Sequence, residues 1–86
     1  MQKYTVYLDT NVQSTKMAEF DTLEQAKAYC DSETRGHDEV ADTDNAYEGR
    51  GNNFAYEVYH GEPVEVIDGE PQSKASVYRT RQYYFD

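Results

Sequence analysis

An 86-residue chain has little room for both a packed core and a deep catalytic cleft, because a domain of this size removes only roughly two-thirds of its unfolded surface from water. Seventeen Asp and Glu stand against eight Lys and Arg, and a net charge of −9 opposes direct contact with nucleic-acid phosphates. A single cysteine excludes an internal disulfide, and no apolar run exceeds three residues, far short of a membrane span.

Lys3 to Asp9 reads as a strand, with Tyr4, Val6 and Leu8 on one face and Lys3, Thr5, Tyr7 and Asp9 on the other. The opening segment MQKYTVYLD offers no apolar run or cleavage site of a signal peptide, so the chain is expected in the cytoplasm, that of a bacterial host if a phage encodes it. Leu8-Asp9-Thr10-Asn11-Val12 resembles the opening of a PIN-domain ribonuclease, where a strand-end Asp helps to hold a divalent metal. In that family a helix follows at once. Here Gln13 to Phe20 continues strand-like, so Thr10 to Val12 reads as a turn whose Asx side chains satisfy local backbone groups.

Asp21-Thr22-Leu23-Glu24-Gln25 contains two overlapping capping boxes, Asp21 with Glu24 and Thr22 with Gln25. Helix formers follow, and Leu23, Ala26 and Cys30 recur at i, i+3 and i+7. Gly36 stands where a left-handed cap ends such a helix, so a helix is expected over roughly 22–35. Residues 37–53 are acidic or amide-rich and read as an exposed loop. Phe54 to His60 alternates as a half-buried strand. Val64 to Ile67, between Pro63 and the Asp68-Gly69 turn signal, reads as an edge strand, and Ala75 to Phe85 as one long final strand. The order predicts an α+β fold over 1–86, a single domain: a small antiparallel sheet of about four to five strands with one helix packed on one face.

The residues that could carry chemistry are few. Asp42-Thr-Asp44-Asn-Ala46-Tyr47 begins like a calcium loop but lacks its fifth-position oxygen ligand and sixth-position glycine. His37 and His60 have no second ligand at metal spacing, and Cys30 falls on the helix face expected to be buried. Neither catalysis, a metal nor a cofactor is expected. Arg79 and Arg81 among Tyr78, Tyr83, Tyr84 and Phe85 have the residue types of a single-strand nucleic-acid surface, but are expected to pair with acids on neighbouring strands instead.

The charges are sorted along the chain. Residues 31–70 hold twelve carboxylates against Arg35 and Arg50, a net −10, while the remainder nets +1. Like charges kept together repel, and the usual returns are solubility or a basic partner. Carboxylates two residues apart on a strand lie roughly 6.5–7 Å apart, comparable to successive phosphates, so a row of them can imitate a nucleic-acid backbone. The candidate partner-binding residues are Asp38, Glu39, Asp42, Asp44 and Glu48 of the loop, with Glu57, Glu62 and Glu65 beyond it, and Tyr47 and Tyr59 as rigid contact area. In size, acidity and expected fold the chain is similar to phage-encoded anti-CRISPR and anti-restriction proteins. That similarity implies an inhibitor that fills the basic groove of a nucleic-acid-binding protein or nuclease complex. It rests on overall character and carries no residue over. The alternative is an assembly module that forms a homodimer by pairing its C-terminal strand.

Overall fold

The computed structural model describes residues 3–10, 13–40 and 53–85. Strands β1 (Tyr4–Thr10) and β2 (Ser14–Phe20) form an antiparallel hairpin, followed by helix α1 (Leu23–Thr34) and strand β3 (Asn53–His60). Among the described residues, strands β4 (Val64–Ile67) and β5 (Glu70–Ser73) pair with each other alone, and β6 (Tyr78–Arg79) and β7 (Tyr83–Tyr84) return to β3. The main sheet runs β2-β1-β3-β6, with β7 also on β3, and is antiparallel throughout. The fold is α+β, with one helix against this five-stranded sheet.

The start of α1 follows from Thr22. Its Oγ1 accepts from the Gln25 amide at 3.2 Å, and Gln25 Oε1 accepts in return from the Thr22 amide at 3.3 Å and the Asp21 amide at 3.2 Å. Of the two boxes the sequence offers, this is the one that closes; the Asp21 carboxylate accepts from Lys3 Nζ at 2.7 Å. At the other end, Thr34 to His37 forms a type II turn. Arg35 has φ −63° and ψ 132°, Gly36 has φ +87°, and the His37 amide reaches the Thr34 carbonyl at 3.2 Å. A Cβ at Gly36 would meet nothing within 4 Å, so glycine is required there for its backbone angle and not for space.

Helix and sheet meet at small side chains. Ala26 and Cys30 are fully buried against Val6, Val58, Phe54 and Tyr56, with Leu23 packed at the margin. Thr34, buried one turn on, donates its hydroxyl to the Cys30 carbonyl at 3.0 Å and so leaves no unmet polar group. β3 departs from expectation. It is the central strand, buried from Asn53 to Tyr56 and again at Val58, because β1 flanks one edge and β6 and β7 the other.

The final segment is not one continuous strand. Glu57 opposes Arg79 and Val58 opposes Tyr78, whereas Phe54 opposes Tyr83 and Asn53 opposes Tyr84. Ala55 and Tyr56 therefore face three residues, Thr80 to Gln82, which is a one-residue bulge. Thr80 fixes it: its Oγ1 accepts from the Tyr56 amide at 3.0 Å and donates to the Arg81 carbonyl at 2.9 Å. The extra residue puts Tyr78 and Tyr83, five positions apart, on the same helix-facing side, where both pack on the core.

The expected edge strand at 64–67 does not join the main sheet. Asp68 (φ +53°) and Gly69 (φ +80°) make a two-residue type I′ turn, and β5 folds back on β4 with Ile67 opposite Glu70.

Candidate partner-binding surface

Most cations of the described chain are engaged internally. On the sheet face away from α1, Arg79 Nη1 lies 3.0 Å from Asp9 Oδ2 and 2.8 Å from Glu57 Oε1. The strand register makes this geometry, since Glu57 stands directly opposite Arg79 on one side and Tyr7, two residues from Asp9, on the other. Tyr59 donates to Glu57 Oε2 at 3.4 Å and meets the Tyr7 ring edge-on at 5.8 Å. Arg81 Nη1 holds Glu39 Oε1 at 2.7 Å, Lys3 holds Asp21, and Lys16 holds Glu19. The bond from Lys3 keeps the Asp21 carboxyl below the ordinary carboxylate range, and Lys16 does the same for Glu19. The two C-terminal arginines thus go to acids, as the sequence implied, and Asp9 is a partner of Arg79.

The pairing leaves a residue of uncompensated charge. Among the described residues, Glu24, Asp31, Glu33, Asp38, Glu62, Glu65, Asp68 and Glu70 are exposed and form no ion pair. All but Glu24 come from the acidic stretch 31–70. The sorting in sequence is partly undone in space, because Glu39 and Glu57 are neutralised by the basic C-terminal segment. What is not undone faces solvent.

The candidate residues do not form one row. Asp38 and Glu39 lie beside β7, where the Asp38 carbonyl accepts from the Tyr84 amide at 2.8 Å and the Val40 amide donates to Gln82 at 2.9 Å. That places them at the start of β3. Glu62 and Glu65 follow its end, and the seven steps along its eight residues, at about 3.3 Å each, separate the two groups by roughly 23 Å. Glu57, only 15% exposed and bound to Arg79, and half-buried Tyr59 lie between them in a compensated cluster. Asp42, Asp44, Tyr47 and Glu48 lie outside the described residues. Residues 38–40 also occupy the outer side of the bulge and β7, so this part of the C-terminal strand is bonded on both sides.

Sequence reasoning passed over the hairpin's apolar residues. Val64, Val66 and Ile67 are 48%, 72% and 49% exposed, interleaved with Glu65 and followed by Asp68 and Glu70. The signal was present, as alternation of Val and Glu running into a two-residue Asp-Gly turn. At the hairpin's base Lys3, Thr5, Glu19, Gly61 and Glu62 line an open cavity of about 210 Å³.

Among the described residues, no three of His, Cys, Asp and Glu converge as a metal site, and no helix is long and apolar enough to cross a membrane. No family model matches this chain, and neither a curated protein nor a solved structure does.

Proposed function

We propose that this chain is a non-catalytic acidic binding protein that occupies the basic, nucleic-acid-binding groove of another protein, an inhibitor of the anti-CRISPR or anti-restriction type. One observation carries the reading. Among the described residues, the fold uses Lys3, Lys16, Arg79 and Arg81 on internal acids and leaves seven exposed carboxylates of the 31–70 stretch without an ion pair. Charge presented in this way steers a basic partner by its long-range field, raising the on-rate more than the affinity. Its target is protein and not nucleic acid, because the same field repels phosphates.

The test is a pull-down from bacterial lysate at low and high salt, followed by displacement of DNA or RNA from the purified partner. Capture that weakens with salt and competes with nucleic acid supports the reading. A partner held equally at both salts, with its nucleic acid still bound, rejects it.

A further inference from the structure

We infer that the β4–β5 hairpin is the arm that seats in the partner, with Val64 and Val66 entering an apolar cleft whose rim carries Lys and Arg. This rests on the reading of the chain as a binder of a basic protein, and adds the element and the contacts.

Three observations converge on this arm. Among the described residues the hairpin is a two-stranded sheet of its own, with all eight strand residues exposed, so both of its faces are open to a partner. Its register gives it two unlike faces. Val64 opposite Ser73 and Val66 opposite Pro71 make an apolar side, while Glu65 opposite Gln72 and Ile67 opposite Glu70 make an acidic one. Its charge selects the occupant. Glu62, Glu65, Asp68 and Glu70 have no ion pair, and Lys74 turns inward to donate to the His60 carbonyl at 2.6 Å. A second copy would bring the same four carboxylates against their twins. A basic surface meets them with opposite sign, and the aliphatic side chains give the close contact that charge alone lacks.

The arm is set before it binds. The type I′ turn closes its tip, and the Lys74 amide donates to the Pro63 carbonyl at 2.8 Å across its base. Little ordering then opposes docking.

The test uses the full chain and two synthetic peptides of equal length and charge, one alternating Lys with Leu and the other Lys with Ser. Binding is read by fluorescence anisotropy and located by amide hydrogen exchange. The Lys-Leu peptide is expected to bind about tenfold tighter and to protect residues of β4 and β5. Val66→Asp makes the hairpin more acidic, so a purely electrostatic binder would hold the peptide tighter; we expect about tenfold weaker binding with an unchanged melting temperature. Val66→Thr, which keeps the strand preference of a β-branched side chain, should move binding in the same direction. Equal binding of both peptides, undiminished by Val66→Asp, removes the hairpin inference and leaves the acidic-binder reading standing. No binding of either peptide at low salt removes both. A wild-type dimer in sedimentation that Val66→Asp dissolves would make the occupant a second copy and overturn the inference.

Discussion

Strands β3 and β4 share a sequence pattern and differ in almost everything else. Each sets one Glu between two apolar residues, Tyr56-Glu57-Val58 and Val64-Glu65-Val66, yet Val58 is fully buried and Val66 is 72% exposed. Glu57 meets a guanidinium at 2.8 Å, while Glu65 faces Gln72. The difference lies in the neighbours. β3 has a strand at each edge and α1 over one face, whereas β4 pairs, among the described residues, with β5 alone. Alternation decides which side chains share a face, but only topology decides whether that face is covered and whether its charge is compensated.

The sharpest way to break this comparison is to truncate an apolar side chain in each strand. Phe54 is buried among Tyr56, Tyr83, Phe85 and His37, with ring centroids 4.6–6.1 Å away, so Phe54→Ala should cost about 3–5 kcal/mol by calorimetry. Val66→Ala should cost less than about 0.5 kcal/mol. Comparable losses would mean the hairpin is packed in solution and that the two regions do not differ as described.

Charge gives the next largest contrast. Arg79→Met leaves Glu57 and Asp9 together on a half-buried face without their shared donor, and should destabilise the fold by about 1–3 kcal/mol. Adding Glu57→Gln should recover part of that loss, since the two residues act as one unit. Glu65→Gln in the hairpin should cost nothing. If Arg79→Met is also silent in urea unfolding, the cluster contributes no stability and the compensated and uncompensated regions are energetically alike.

Proton affinity separates buried from exposed groups again. Burial pushes the Cys30 thiol up to about 11 and the Tyr56 phenol up to about 12. Such groups hold their protons longer in the folded state than in the unfolded one, whose ordinary values are 9.0 and 10.0. The stability these two groups contribute is therefore full below pH 9 and is lost as pH rises from 9 towards 12. Circular dichroism against phenolate absorbance should show unfolding and Tyr56 ionisation in the same alkaline range. Cys30 should react slowly with a thiol reagent until that transition. Fast labelling at neutral pH would show that α1 does not cover it.

These contrasts mark what local sequence can and cannot convey. The helix was legible down to its cap, because Thr22, Gln25 and Gly36 act within their own turns. β1 and β3 were legible as strands for the same reason, since alternation is local; β2, whose alternation is poorer, reads as a strand less clearly. The central position of β3 was not, since burial on both edges depends on residues 78–84 returning to it. The bulge at Thr80 to Gln82 was hidden because it is set by a bond to Tyr56, 24 residues away. The candidate site suffered likewise. Acids that neighbour one another in sequence need not do so in space: the fold sends Glu39 to Arg81 and Glu57 to Arg79 and separates Asp38 from Glu62 by the length of a strand.

The smallest effect concerns salt, and its sign decides between the two charge regimes. Added salt weakens the exposed pairs Lys3–Asp21, Lys16–Glu19 and Arg81–Glu39, which lowers stability, and screens repulsion among the unpaired acids, which raises it. Exposed pairs contribute little each, whereas the uncompensated carboxylates add to a net charge of −9, so repulsion should dominate. The melting temperature should rise by about 2–4 °C between low and moderate salt, equivalent to about 0.5 kcal/mol for a domain of this size. Glu65→Lys with Glu70→Lys should flatten that response by removing charge from the hairpin, while Asp21→Asn, which breaks an ion pair, should steepen it. A melting temperature that falls with salt would show that the pairs outweigh the free acids, and the acidic face would then be too weak a field to steer a basic partner.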